Sequence, residues 1–365
     1  STPSCATDVT SYEIAGHGCS NNDYRPFAVT EHDGIQYVGL VCSGETDQDQ
    51  SQLRAHIMMR TPVGFSSIFN FPLNYDRGYA LPLAGYSALT VPNIASNHVP
   101  LNGVVAQSPT GIGGRWMPWV RSFDEIGGLT FSTAPDLAFY VWAQPILADI
   151  AFDNDGSVVL AFVDRLSHQL GKLNFLPSRS VLKLVLEGVM QGDLVRVYNV
   201  NGTYALEDNG RKPGTAAASH SGVNNGQGPN GGEKYWDDMA PLAGGAGEAH
   251  REFAAPGGIA QKPGDSVIIS TQGNPLNDYA SAGVSAYSHV SGARERNKRI
   301  YSETTPGAFG KTAGLGDIEL LCEPAPIEIG NRVWRDDDND GIQDPSEPPI
   351  SGVTLNLYNL SLIHI

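Results

Sequence analysis

The run Pro145-Ile146-Leu147-Ala148-Asp149-Ile150-Ala151-Phe152 is followed by Asp153-Asn154-Asp155-Gly156 and then by Val158-Val159-Leu160-Ala161-Phe162. Two short apolar runs joined by a turn that ends in Asp-Gly are typical of a β-hairpin, because these residues adopt the positive φ angles of tight turns. The unit recurs at residues 26–42, 193–206 and 257–270. Helix signals are scarce elsewhere, so the sequence predicts an all-β protein.

Repeated hairpins over residues 1–323 predict a β-propeller-like domain, in which four-stranded sheets surround a channel. A pair of β-sandwiches is the alternative interpretation of the same pattern. Residues 314–322 are predicted to form the last strand, which closes the ring with a strand from the N-terminal segment. The polar, glycine-rich run 209–247 is predicted to be a functional surface loop or a mobile insertion. The basic cluster at 294–299 is predicted to be a solvated loop.

Composition excludes several classes of protein. The 365 residues include 23 Lys plus Arg and 39 Asp plus Glu, a net charge of −16, and only 17% of the residues are charged. Long helical bundles need a far higher charged fraction, and nucleic-acid binding needs a basic surface. No apolar run reaches the ~18 residues of a membrane-spanning helix. The chain begins Ser-Thr-Pro without Met or an apolar leader, which predicts a removed signal peptide or a fragment.

The four cysteines are Cys5, Cys19, Cys42 and Cys322. They form no CxxC pair, which disfavours a zinc site. An even number fits two disulfides in an exported protein, with three possible pairings. Of these, Cys5–Cys19 with Cys42–Cys322 is preferred, and four reduced, buried thiols are the alternative.

An acidic loop near the end of the chain matches the calcium-binding pattern D-x-D-x-D-G-x₅-E without a gap, over residues 336–347. This spacing places carboxylates at loop positions 1, 3, 5, 9 and 12, with a glycine at the sharp turn and a backbone carbonyl at position 7. The flanking residues alternate as in strands and include prolines, so a calcium loop between strands is predicted. The predicted Ca²⁺ ligands are Asp336, Asp338, Asp340, Ile342, Asp344 and Glu347.

The run Ile329-Gly330-Asn331-Arg332-Val333-Trp334, the acidic loop and Ile350-Ser351-Gly352-Val353-Thr354-Leu355 resemble the start of an SdrD B-like repeat. Such repeats are calcium-binding, prealbumin-like or immunoglobulin-like β-sandwich modules of surface adhesins. The resemblance covers residues 327–359 and implies a rigid, Ca²⁺-dependent stalk module on a secreted or cell-surface bacterial protein. Because a complete sandwich needs ~100 residues, the module is predicted to be truncated.

The sequence therefore predicts four segments. Residues 1–323 form the propeller-like domain, 324–326 (Pro-Ala-Pro) a joint, and 327–359 the truncated module. Residues 360–365 are predicted to be a non-native tail, with an ordinary apolar strand as the alternative. The first segment is itself similar to the propeller-like head region that precedes such modules in large bacterial surface proteins.

No catalytic residue is predicted, because the chain has no G-x-S-x-G, H-E-x-x-H or P-loop motif. Four weaker candidates are each outweighed by a structural interpretation. Asp149, Asp153 and Asp155 could hold a second metal, but Asp153 and Asp155 are expected to be turn residues. The remaining candidates are sugar stacking by Trp116, Trp119 and Trp236, a thiol nucleophile at Cys19, and a channel-mouth histidine at His168.

The predicted function is that of an extracellular or cell-surface structural or adhesion protein without catalytic activity. Its expected partners are extracellular matrix, polysaccharide or another cell-surface ligand, and its expected cofactor is Ca²⁺. The alternatives are a propeller-type hydrolase or lyase acting on extracellular carbohydrate or lactone, and a lectin-like binding module. Several carboxylates converging in the central channel together with a metal would favour the enzyme, whereas a channel filled by apolar side chains would favour adhesion.

Overall fold

The computed structural model describes residues 11–77, 81–82, 111–112, 114–122, 125, 137–140, 142–170, 174–175, 185–188, 192–215, 220–241, 251–262, 264–276, 281–302, 315–320, 335 and 348–354. The chain divides into two units, Ser1–Leu321 and Cys322–Ile365. The first unit is called the head below.

Three antiparallel sheets make up most of the described head. Sheet 1 is formed by β1 (Tyr24–His32), β2 (Ile35–Cys42), β3 (Arg54–Thr61) and β4 (Gly64–Pro72), in that order. Sheet 2 is formed by β8 (Pro145–Phe152), β9 (Val158–Asp164), β12 (Asp193–Val200) and β13 (Thr203–Leu206), in the order β13-β12-β9-β8. Sheet 3 is formed by β14 (Met239–Pro241), β15 (Arg251–Gln261), β16 (Val267–Gly273), β17 (Ser281–Ser288) and β18 (Arg294–Ser302), in that order.

Smaller elements connect these sheets. β5 (Leu81–Pro82) pairs with β6 (Gly111–Ile112), and β7 (Leu137–Tyr140), β10 (Asn174–Phe175) and β11 (Val185–Gly188) form a three-stranded sheet. The α-helix of the described residues, α1 (Arg165–Leu170), directly follows β9. The all-β prediction is confirmed for the described part of the chain.

All four predicted hairpins are present. β1 pairs with β2, β8 with β9, β12 with β13, and β15 with β16, each antiparallel. The two tightest turns are Asp33-Gly34, with φ of 51° and 73°, and Asn201-Gly202, with φ of 53° and 83°. Asn, Asp and Gly tolerate this left-handed conformation best, which is why the pairs mark hairpins in the sequence.

Sheet 2 lies between the other two sheets. On β9, Val158, Leu160 and Phe162 belong to an apolar cluster shared with sheet 1. The alternate residues Val159 and Ala161 belong to a second cluster, shared with sheet 3. The strand is therefore apolar on both faces, which its uninterrupted run of apolar residues reflects.

The structure shows the all-β sheets that a propeller needs, but within its described residues it does not show the closed ring that the propeller prediction implies. The described residues form three stacked sheets, and no closed ring is present among them. Residues 315–320, the described part of the predicted closing strand, have no strand structure. Residues 317–320 line the same cleft as residues 29–32 of β1, and no strand pairing joins these two described segments.

The disulfide pairing preferred from the sequence is wrong. Cys19 is bonded to Cys42, with 5.2 Å between their Cα atoms. Cys42 ends β2 opposite Tyr24, the first residue of β1, so the segment just before β1 brings Cys19 alongside. That segment also covers the outer face of sheet 1, where Cys19 packs on a cluster of Val38, Leu40 and Met58. Cys5 and Cys322 lie outside the described residues.

Two surface predictions are also corrected. The basic cluster at 294–299 belongs to β18, the last strand of sheet 3, and residues 295–300 are exposed. Much of the run 209–247 is packed inside the head, with Glu233, Tyr235 and Asp238 buried. Glycines allow this packing, because a Cβ on Gly222 would lie 2.0 Å from the Glu233 carbonyl oxygen.

Candidate functional site

A cleft of about 260 Å³ opens where the three sheets meet. It is lined by residues 29–32 of β1, 149–152 of β8 and 259–261 of β15, together with residues 317–320. Each of the three sheets thus contributes one strand to the cleft. Four carboxyl groups belong to lining residues: those of Glu31, Asp149, Asp317 and Glu319.

Asp149 is the most constrained of these groups. Its Oδ2 accepts a hydrogen bond of 2.8 Å from the Ile259 N–H, which connects β8 to β15. Its Oδ1 accepts a bond of 2.7 Å from the Ile150 N–H. The exposed Asp317 carboxyl is also hydrogen-bonded to Asp149. The pKa of Asp149 is raised to about 7: burial is the main cause and the charge of Asp317 contributes, while the hydrogen bonds from the Ile259 and Ile150 N–H groups oppose the rise.

Asp149 is the member of this pair whose pKa is raised, because its burial disfavours the charged form and the neighbouring carboxyl group of Asp317 adds repulsion. The arrangement can hold a proton near neutral pH and can present acidic oxygens to a polar ligand. His32 stacks on Phe152 at the same cleft, with ring centroids 4.3 Å apart and an interplanar angle of 5°.

The predicted second metal set does not come together in the structure. Asp149 faces the cleft, whereas Asp153 forms an ion pair with Arg196, with 2.5 Å between Oδ2 and Nη2. Asp155 accepts a hydrogen bond from the Ser157 N–H, as expected of a turn residue. The turn interpretation is confirmed for Asp153 and Asp155, because both lie in the β8–β9 turn.

Arg196 is the centre of a buried polar network between sheets 2 and 3. Besides Asp153, its guanidinium contacts the Tyr235 hydroxyl at 3.4 Å and His289 Nδ1 at 3.1 Å. The Tyr235 hydroxyl donates to His289 Nδ1 at 2.7 Å, and His289 Nε2 lies 2.6 Å from Gln261 Oε1. Burial and the charge of Arg196 lower the pKa of His289 to about 4, so this histidine is neutral at physiological pH.

The other sequence candidates have structural roles. Trp116 and Trp119 are buried, which confirms the core interpretation, and the indole N–H of Trp119 donates to the Pro145 carbonyl at 2.8 Å. The Trp236 indole N–H donates to the Ser291 carbonyl at 3.0 Å. Cys19 is oxidised in a disulfide, so it is not a nucleophile. His168 is exposed on α1.

The predicted calcium ligands Asp336, Asp338, Asp340, Ile342, Asp344 and Glu347 lie outside the described residues. The two residues that flank this loop are described. The Arg335 N–H donates a hydrogen bond of 3.1 Å to the Pro348 carbonyl. This bond joins the two described residues that flank the acidic loop in the sequence.

Sequence reasoning missed the pairing of Asp149 with Asp317. The two residues belong to distant parts of the chain, and no motif connects them. The signal that was present is the apolar run 145–152, in which Asp149 is the only charged residue. A carboxyl in such a strand needs a partner, but the sequence does not indicate which.

We expect Asp149→Asn to reduce the pH dependence of stability. A folded pKa of about 7, against an ordinary value of 3.8, stabilises the head fully below the ordinary value, and this contribution is lost as the pH rises through 7. Because one pKa unit corresponds to ~1.4 kcal/mol, the loss in stability between pH 5 and pH 8 should be smaller in the variant by about 1–3 kcal/mol. Urea unfolding at the two pH values measures this difference.

Glu295→Gln is the matched control for this prediction, because it removes a carboxyl group from an exposed position of β18. It should leave the pH dependence as it is in the unmodified protein. An equal pH dependence in Asp149→Asn and in the unmodified protein would contradict the raised pKa of Asp149.

Comparison with known proteins gives one family match and three relatives. Residues 327–363 match the SdrD B-like domain. Colossin-A of Dictyostelium discoideum is 28% identical over 353 residues, which are 93% of this chain and 3% of the relative. Colossin-C is 26% identical over 366 residues, 96% of this chain and 30% of the relative. Colossin-B is 23% identical over 352 residues, 94% of this chain and 8% of the relative.

The chain therefore spans less than a third of the length of each of these relatives. The similarity covers the head as well as the C-terminal unit. The bacterial origin that the resemblance implied is not supported, because the relatives are proteins of Dictyostelium discoideum. Within the described residues, no helix has the length and apolar character needed to cross a bilayer.

Proposed function

We propose that this chain is part of an extracellular or cell-surface structural protein of adhesion type, in which an all-β head precedes a calcium-stabilised SdrD B-like module. The observation that carries the proposal is the family match at residues 327–363, over a gap-free acidic loop whose ends are joined by the Arg335–Pro348 hydrogen bond. The Cys19–Cys42 disulfide supports an oxidising location.

Calcium has a defined place in this proposal. The carboxylates of Asp336, Asp338, Asp340, Asp344 and Glu347, with the carbonyl oxygen of Ile342, would hold one Ca²⁺. The ion would neutralise acidic groups that otherwise repel one another, and would thereby stiffen the connection between the flanking strands. A stiff connection suits a stalk that holds the head away from the surface to which it is anchored.

The proposal includes a propeller-like head. In a propeller, each blade is a four-stranded antiparallel meander whose innermost strand faces the centre. Sheets 1, 2 and 3 are antiparallel, and β1, β8 and the C-terminal part of β15 face one cleft. The polar lining of this cleft is where a polysaccharide or another polar surface ligand would bind.

The presence of four acidic residues among those that line the cleft favours a second candidate, an extracellular hydrolase. Two features count against it. Both oxygens of Asp149 accept backbone hydrogen bonds, and Asp149 touches Asp317 directly, whereas glycoside hydrolysis requires carboxyl groups at least ~5 Å apart. Release of reducing sugar from extracellular polysaccharides, abolished in Asp149→Asn, would establish the enzyme instead.

We expect Glu347→Gln to weaken Ca²⁺ binding in the loop by about tenfold or more, because the bidentate anionic ligand at position 12 is lost. Extracellular sites of this kind have dissociation constants of ~10⁻⁴–10⁻³ M. Titration calorimetry of the full chain and of the variant measures the change in affinity.

Asp337→Asn is the matched control, because it removes the same charge from a loop position that is not a predicted ligand. It should change the affinity far less than Glu347→Gln. Equal losses in the two variants would show a diffuse electrostatic effect and would refute the ligand assignment. An unmodified chain whose loop takes up no Ca²⁺ at millimolar concentration would refute the proposal for the stalk.

A further inference from the structure

A cluster of three carboxyl groups is buried in the head, away from the cleft. Asp193 begins β12, whereas Glu233 and Asp238 belong to the connection between β13 and β14. These residues are 2%, 3% and 2% exposed. One oxygen from each lies within 4.8 Å of the other two. Burial of three adjacent carboxyl groups is unfavourable unless something compensates their charge.

Hydrogen bonds satisfy this cluster only in part. Asp193 Oδ2 accepts a bond of 2.6 Å from the Tyr75 hydroxyl, and Glu233 Oε1 accepts one of 2.7 Å from the Asn225 amide. Asp238 Oδ1 is fully buried and has no hydrogen-bond partner among the described residues. A buried carboxyl oxygen without a donor costs about 1–3 kcal/mol or more, so this atom indicates a ligand in contact with the cluster.

The surrounding charges leave the cluster negative. The carboxyl groups that interact with one another are Asp193, Glu207, Glu233, Asp237 and Asp238, and their cationic neighbours are Arg77, Lys234 and Arg294. If all five carboxyl groups were ionised, the three cations would leave an excess of two negative charges among these described groups. One divalent cation would neutralise that excess.

We propose that Asp193, Glu233 and Asp238 bind a divalent cation that prefers oxygen ligands, with Ca²⁺ as the best fit. Ca²⁺–oxygen distances are about 2.4 Å, so two oxygens on one ion lie at most about 4.8 Å apart. The spacing of the three carboxyl oxygens is within this limit. The ion fastens the connection between β13 and β14 to sheet 2.

Protons are the competing way to neutralise the cluster. Burial raises the pKa of Asp193 to about 6, and burial together with the neighbouring carboxyl groups raises the pKa of Glu233 and Asp238 well above the ordinary range. The test must therefore show whether a cation or protons neutralise the cluster. It must also separate Ca²⁺ bound in the head from Ca²⁺ bound by the loop at 336–347.

The test uses the full chain with the double substitution Asp336→Asn and Glu347→Gln, which removes two proposed Ca²⁺ ligands of the loop. This doubly substituted protein is called the parent chain. We expect CaCl₂ to raise the unfolding temperature of this parent chain above its value in EDTA at neutral pH. The rise should be about 3–6 °C at a hundredfold excess of Ca²⁺ over Kd. Calorimetry should give one ion per chain.

Asp238→Asn in the parent chain should abolish the rise. Asp237→Asn is the matched control: this neighbouring side chain is 30% exposed and paired with Arg294, so its loss should leave the rise in place. A Ca²⁺ response that survives Asp238→Asn overturns the site. A parent chain that responds to none of Ca²⁺, Mg²⁺ and Mn²⁺ also overturns it, in favour of protons.

A second measurement covers the case in which Asp238→Asn fails to fold. Tb³⁺ replaces Ca²⁺ in oxygen sites, and Trp116 and Tyr75 lie beside the cluster, with 3.4 Å between Trp116 Nε1 and the Tyr75 oxygen. Excitation of these rings in the parent chain should sensitise Tb³⁺ emission, and Ca²⁺ should quench it by displacement. Absence of displaceable emission overturns the proposal.

Discussion

Replacing Arg196 by methionine should lower the free energy of unfolding by about 3–5 kcal/mol, because it removes one partner of a buried ion pair and leaves the other uncompensated. Arg196 and Asp153 have side chains only 6% and 18% exposed. Burial raises the pKa of Asp153, but the hydrogen bond and charge of Arg196 outweigh it, and the net pKa is lowered. Asp153 is therefore charged at neutral pH, and its buried negative charge is compensated by Arg196.

Chemical denaturation at pH 7 measures this loss, and Arg121→Met is the matched control. Arg121 pairs with Glu125 on the surface, where its side chain is 58% exposed, so its loss should cost about 1 kcal/mol or less. Adding Asp153→Asn to Arg196→Met should recover part of the stability by removing the stranded charge. Equal costs for Arg196→Met and Arg121→Met would contradict a structural role for the pair.

Phe162→Ala should cost about 3–5 kcal/mol, the usual range for removing a buried aromatic ring. Phe162 is 0% exposed. Its ring lies edge-on to Phe71 of sheet 1, with centroids 6.2 Å apart, and 5.9 Å from the ring of Trp116. The cavity left behind would open the interface between sheets 1 and 2, so thermal unfolding should report the loss for the whole head.

Phe27→Ala makes the same truncation at a residue that is 53% exposed, and it should cost at most about 1 kcal/mol. A cost for Phe162→Ala no larger than this control would show that the two sheets do not form one core. A change in the steepness of the transition, in addition to its midpoint, would show that the sheets unfold separately.

The strands were predictable because their signals are local. An apolar run, an Asn-Gly or Asp-Gly turn and a second apolar run specify a hairpin within about 20 residues. Residues 158–162 are all apolar and do not alternate with polar residues, which is the pattern of a strand such as β9 that is covered on both faces. How the hairpins assemble is a different problem, because several sheet arrangements bury the same residues equally well.

The contacts that define the sites could not be predicted, since they join distant parts of the chain. Cys19 meets Cys42 because of the register between β1 and β2, and four cysteines allow three pairings on sequence alone. Asp193 and Asp238 meet only after a long connection folds back onto sheet 2. The ligands of the proposed calcium loop all lie within twelve consecutive residues, so a sequence pattern can name them, and they stay a prediction.

β18 is the edge strand of sheet 3, and its charges affect whether two copies of this protein can associate through that edge. An exposed edge strand can add a strand from a neighbouring molecule, which begins aggregation. Residues 295–300 of β18 are exposed and include Arg296, Lys298 and Arg299, so two such edges would bring cation against cation. Heads that are brought side by side should therefore stay separate and should not join through this edge.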